Sequence, residues 1–193
     1  MEKEDLRIKK TKQVIKETFI ELVEQKGYNN VSVTDITSKA NINRNTFYLH
    51  YENKDDLIKN IIYESANNLD ESLRRFKYLL SVDYEKITEI HLRWGFRKIF
   101  KIIEDDVDLY RIVLLDSALR GYIDVVQERL KKFIAGALNV KNPRSNIIFE
   151  YAMSGMFGTI KQWIIYMPTS TQEASKVIAN LLYQNYLQFS QIN

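Results

Sequence analysis

Arg44, Asn45 and Thr46 stand in an unbroken row, followed closely by Tyr48, His50 and Lys54. These residue types share a chemistry. A guanidinium forks onto guanine, a carboxamide pairs with adenine, and a threonine methyl meets the methyl of thymine. Tyrosine, histidine and lysine tips suit phosphate oxygens. The same row offers little to a catalyst. The chain has no cysteine and only 2 histidines, which excludes thiol nucleophiles and cysteine-based zinc sites. No glycine-rich phosphate loop appears. Asp105-Asp106 reads as a helix cap, and His50 as a phosphate contact or plain surface group before an acid–base catalyst. No enzyme activity, cofactor or metal is expected.

Side chains that read bases must be held rigidly against a major groove about 12 Å wide. The flanking sequence supplies that support. Ser32 opens a short helix over 32–40, with Asp35 three residues on in a capping-box arrangement. Asn41 follows, a residue that takes the left-handed backbone more readily than most. Ile42 is apolar inside a polar turn and is expected to point inward. Asn43 caps a second helix from Arg44 to about Tyr51. The bracing core is expected from Val33, Ile36, Ala40, Ile42 and Phe47. A longer helix precedes the pair, from about Glu4 to Lys26, with Ile15, Phe19, Leu22 and Val23 on one face and Gly27 closing it. Another long helix follows, capped by Asn53, with Asp55 and Asp56 at its positive end and an apolar stripe running to about Phe76.

Residues 32–57, SVTDITSKANINRNTFYLHYENKDDL, resemble the signature of the TetR family of transcriptional regulators. That signature is a short helix ending in Ala-Gly, a Val/Ile-Ser turn, a Thr-Phe/Leu-Tyr-x-His/Tyr-Phe recognition helix, and Asn-Lys. Here Asn41 replaces the glycine, Asn43 the serine cap, and Tyr51 the phenylalanine. The resemblance is specific over about residues 8–62, and beyond that it rests on layout. It implies that Ser32 and Thr34 touch phosphate, and that Asn43, Arg44, Asn45 and Thr46 face the groove. It further implies that Tyr48, His50 and Lys54 bind phosphates of double-stranded operator DNA.

The fold class implied is all-α. A three-helix DNA-binding head (residues 1–55) precedes a larger helical effector-binding and dimerisation domain (residues 56–193), with about nine helices in total. Beyond the head, helices are expected at about 84–104, 106–117, 119–138, 144–167 and 172–190. The resemblance implies a homodimer formed through the last two. Ala152, Gly155 and Gly158 recur every three residues on the first of these, permitting close approach either between subunits or within one. His91, Trp94, Tyr122, Met153, Phe157 and Trp163 are candidates for an effector pocket, with ordinary core packing the competing reading for each. The G-x-x-G-x-x-K-x-W run from Gly155 to Trp163 resembles C-terminal domains of dihydroxyacetone-kinase-operon regulators. That likeness admits a protein co-regulator in place of a small-molecule effector.

Bulk properties are permissive. The 193 residues carry a formal net charge of +3, and residues 1–60 are nearly balanced. A nucleic-acid footprint must therefore come from where the charges sit. The apolar stretch Ile147 to Met167 approaches the roughly 20 residues a membrane span needs. It contains Glu150, Lys161 and Gln162, which favours a buried helix. The charged start MEKEDLRIKK is no signal peptide, so a cytoplasmic protein is expected. The rival non-enzymatic reading is a helical adaptor that binds no DNA. It would not need Arg44, Asn45, Tyr48, His50 and Lys54 on one exposed surface.

Overall fold

The computed structural model describes residues 2–82, 88–137 and 143–190. Among them are nine α-helices and no strand. They are α1 (Glu2–Lys26), α2 (Val33–Lys39), α3 (Arg44–Tyr48), α4 (Lys54–Val82), α5 (Glu89–Asp105), α6 (Val107–Leu115), α7 (Arg120–Ala137), α8 (Pro143–Tyr166) and α9 (Thr171–Ser190). A single 3-10 turn, Tyr28–Asn30, follows α1. The expected boundary near Ser81 to Tyr84 and the break at Asn142 fall partly outside the described residues. Helix α4 runs past the expected end near Phe76, because Lys77 to Val82 contains neither glycine nor proline to stop it.

The chain divides into two compact units. The first joins Met1–Asn67 to Ile112–Tyr122, and the second joins Asn68–Arg111 to Ile123–Asn193. The first unit takes in more than three turns of α4 and recruits the corner between α6 and α7 from far along the chain.

Local sequence explains how the first unit turns. Gly27 adopts φ +77°, a backbone that L side chains rarely take, and its N–H still reaches Val23 O at 2.8 Å. Ser32 and Asp35 form the capping box: Ser32 N–H donates to Asp35 Oδ2 at 2.8 Å, and Asp35 N–H donates to Ser32 Oγ at 3.2 Å. Asn41 has φ +52°, as its place in the turn requires. Asn43 Oδ1 accepts from Asn45 N–H at 2.8 Å, and Asn53 Oδ1 from Asp56 N–H at 2.8 Å. Inside this frame Ile15, Phe19, Ile36, Phe47, Leu57 and Ile58 are wholly buried. Each such side chain contributes about 1.5–3 kcal/mol. Of the expected bracing core, Ile36 and Phe47 are fully enclosed, while Val33, Ala40 and Ile42 are half-buried.

The second unit is assembled by helix packing. Helix α9 lies against both α5 and α8. Phe100 meets Trp163 edge-on at 4.8 Å between ring centroids, and the Trp163 indole N–H donates to Thr169 O at 3.0 Å. Arg111 Nε donates to Ile164 O at 3.1 Å, and Lys131 pairs with Glu150 at 2.5 Å. No helix among the described residues is long and apolar enough to cross a membrane.

Candidate nucleic-acid interface

Helix α3 is only five residues long, and two turn bonds extend it: Leu49 N–H to Asn45 O at 3.0 Å, and Tyr51 N–H to Phe47 O at 3.0 Å. Phe47 anchors the segment from below, with the Tyr51 ring 5.7 Å away. Successive helical positions turn by about a hundred degrees. With Phe47 facing inward, Asn45 and Leu49 face outward, Tyr48 lies to the side, and Arg44 sits at the open first position of the helix. All four are exposed. Ser32, Thr34 and Asn43 are exposed too, while Thr46, His50 and Lys54 are half-buried.

Several of these side chains are already engaged. The Arg44 guanidinium donates to Thr34 Oγ1, which draws the first base-reading candidate toward the start of α2. Ser32 Oγ donates to Asp35 Oδ2 at 2.6 Å. Hydrogen bonds from Ser32 and from the Lys26 ammonium, 2.9 Å away, hold the Asp35 carboxyl well below the usual carboxylate range. Burial, and then the nearby Lys12 charge, push the His50 imidazole below its ordinary value. Its tip therefore offers a neutral ring N–H more readily than a cation. Burial, then Glu64 and Asp56, raise the Tyr51 hydroxyl to about 12.

Lys54 is engaged within the chain. Its ammonium donates to Tyr28 O at 2.9 Å, Val31 O at 3.0 Å and Asn29 O at 3.4 Å, and lies 4.4 Å above the Tyr28 ring. Three protons meet three carbonyls, so Lys54 clamps the turn after α1.

Two features escaped sequence reasoning. Leu49 is 80% exposed, an apolar side chain on the outward face of α3 where a thymine methyl is the matching group. Its only signal was its place beside Tyr48, opposite Phe47. The second is a buried brace under the head. The buried Tyr28 donates its hydroxyl proton to Asp55, and its backbone N–H donates to Asp116 Oδ2 at 2.7 Å. Asp116 Oδ1 in turn accepts from Ala118 N–H at 2.9 Å. Burial, then the Asp55 carboxylate, raise the Tyr28 hydroxyl far above its ordinary range. Tyr28 and Asp116 lie 88 residues apart, so no local pattern joins them.

The six residues expected to line an effector pocket have different local surroundings. Tyr122 belongs to the first unit, where burial and the Asp55 charge raise its hydroxyl above the ordinary range. His91 is exposed and serves the start of α5, its Nδ1 accepting from Thr88 N–H at 3.4 Å. Trp94 is 38% exposed, with the Lys98 ammonium 4.2 Å over its ring. Met153 and Trp163 are core residues, and Phe157 is half-buried. A shallow open depression along α7, lined by Asp124, Val125, Glu128 and Lys132, includes none of the six.

Comparison with known proteins matches both halves. Residues 17–61 match the family model of bacterial regulatory proteins, tetR family, and residues 91–184 match a transcriptional regulator C-terminal region. An uncharacterized HTH-type transcriptional regulator of Bacillus subtilis (strain 168), YxbF, is 37% identical over 70 residues. That match takes in 36% of this chain and only 18% of that protein. The fold is similar to a transcriptional regulator (TerR/AcrR family) from Aquifex aeolicus VF5, at TM-score 0.62 and 22% identity, covering 90% of this chain and 98% of that one. It is also similar to the dihydroxyacetone kinase operon activator DhaS, at TM-score 0.60 and 19% identity, covering 93% and 97%. With the capped helix pair inside the first match and the second match covering the region beyond it, the chain belongs to the tetR family of bacterial regulatory proteins and is a DNA-binding transcriptional regulator.

Proposed function

We propose that the chain is a homodimeric repressor that reads a near-palindromic operator through α3 and is released by a small-molecule effector bound in the larger unit. The observation that carries the reading is the outward row of Arg44, Asn45, Tyr48 and Leu49 over a buried Phe47. Arg44 and Asn45 supply the directional contacts and Leu49 an apolar one. Asn43, Thr46 and the polar tips of Tyr48, His50, Thr34 and Ser32 set the register on the backbone.

Dimerisation is supported by an unpaired stripe on α8. Ile147 and Tyr151 are 70% and 72% exposed, and Ser154 and Gly158 continue the same face at helical spacing. A Cβ built on Gly155 or Gly158 meets nothing within 4 Å, so packing inside the subunit does not require either glycine. Val177 and Leu181 add exposed apolar surface on α9, which packs against α8. Small residues flanked by large apolar ones suit the close crossing of a second copy.

The test is selection of bound fragments from genomic DNA by the full-length protein, followed by footprinting. The reading predicts two protected half-sites about 34 Å apart, or a multiple of that spacing. A reporter behind the selected promoter should fall when the protein is expressed and recover when the effector is added. A rising reporter would identify an activator, the role named for the DhaS structure. Failure to enrich any sequence would return the molecule to the adaptor reading.

A further inference from the structure

The pairing of α1 with its neighbours fixes how it runs past the recognition segment. Lys26 pairs with Asp35 at the start of α2, at 2.9 Å, and Glu21 pairs with Lys39 at its end, at 2.5 Å. One further station toward the N-terminus, the Lys12 ammonium lies 5.9 Å from the centre of the Tyr51 ring. Tyr51 closes the turn that follows α3. Helix α1 therefore passes the end of the recognition segment at Lys12 and continues for ten more residues, about 15 Å at 1.5 Å per residue.

That overhang is charged in one sense next to the head. From Leu6 to Lys16 the sequence holds Arg7, Lys9, Lys10, Lys12 and Lys16 and no acid, the acids Glu2, Glu4 and Asp5 coming before it. Lys9 stands three residues before Lys12, on the same face of the helix, and is exposed. The His50 ring, 6.3 Å from that of Tyr51, lies at this end of the interface. Burial and Lys12 keep the His50 ring toward its neutral form, and the Lys54 ammonium is taken up by three carbonyls. Lys12 and the exposed Lys9 of α1 add positive charge beside the end of α3.

We propose that α1 is part of the DNA-binding surface, with Lys9 and Lys12 holding backbone phosphates that flank the groove read by α3. The proposal rests on the operator reading above. The occupant is fixed by charge and continuity, since the polyanion seated on α3 must pass along the adjoining lysine row. Such contacts carry no sequence information, so they should strengthen binding to any duplex alike.

The experiment is fluorescence anisotropy with the full-length protein, on the selected operator duplex and on a scrambled duplex of equal length, across a series of salt concentrations. Each phosphate contact contributes about 0.9 to the slope of log affinity against log salt. For a dimer, Lys9→Gln/Lys12→Gln should make the slope shallower by about 3 to 4 and weaken both duplexes by the same factor. Lys9→Gln alone, at an exposed position, should give about half that change. Lys9→Arg/Lys12→Arg should restore the wild-type slope. A wild type that prefers its operator, with a salt slope untouched by either Gln variant, would overturn the role of α1 alone. A wild type that binds operator and scrambled duplex equally would overturn the operator reading and this proposal with it.

Discussion

In the head, each change of direction is closed by a named polar contact: Gly27 after α1, the Ser32–Asp35 box at α2, Asn41 in its turn, Asn43 at α3 and Asn53 at α4. In the larger unit, helices of 17 to 24 residues lean on one another through rings and aliphatic side chains, with the Arg111 bond to Ile164 O reaching across the sequence. The contrast fits the proposed function. Base reading needs side chains held within a fraction of an ångström, which short capped helices on a brace provide. The proposed effector response needs a surface that can repack, which side-chain packing permits.

The comparison can be broken most sharply at Phe47. Phe47→Ala empties a fully buried site beneath α3 and should cost about 3–5 kcal/mol. Thermal unfolding followed by circular dichroism should show the loss, together with loss of operator binding. Retained binding at the wild-type melting temperature would mean that Phe47 does not position α3.

Asp116→Ala comes next. It leaves the Tyr28 N–H without its acceptor inside the first unit and removes the partner of Ala118. A lost acceptor of this kind costs about 1–3 kcal/mol. Amide hydrogen exchange should accelerate around Tyr28 and the start of α4. Unchanged exchange there would show that the corner between α6 and α7 is a passenger.

Trp163→Phe probes the other region. The ring volume against Phe100 is largely kept, and the bond to Thr169 O is lost. About 0.5–1.5 kcal/mol of stability should go, with operator affinity unchanged. A larger drop in affinity than in stability would join the two regions more closely than packing alone requires.

The smallest effect is on pH dependence. Since the folded state holds the His50 imidazole below its ordinary value, the stability it supports in the free protein is complete above about 6.5. It is lost as pH falls through the lowered folded value, where the unfolded chain binds more protons. His50→Gln should flatten that acid limb of the stability curve. An acid limb identical to that of wild type would contradict the assignment to His50.

The head was legible because its determinants are local. Capping boxes, a left-handed asparagine and asparagine caps act over three or four residues, within the reach of a sequence pattern. Wherever a contact spans the chain, the pattern was silent. Lys54 looks like a phosphate ligand from its position after the motif, and only the carbonyls of Tyr28, Asn29 and Val31 reveal what holds it. Tyr122 is a pocket candidate because it is aromatic, and no sequence pattern reveals that the Asp55 charge bears on its hydroxyl. Aromatic composition cannot separate a pocket lining from a core.

The central claim, that α3 reads base sequence, is tested most directly by comparing wild type and Arg44→Ala on the selected operator and on a scrambled duplex at one salt concentration. The account predicts that Arg44→Ala loses about 10- to 100-fold on the operator, about 1–3 kcal/mol. It should lose far less on the scrambled duplex, and its melting temperature should be unchanged. Equal losses on both duplexes, or none on either, would contradict the claim and leave Arg44 as an anchor for Thr34 alone.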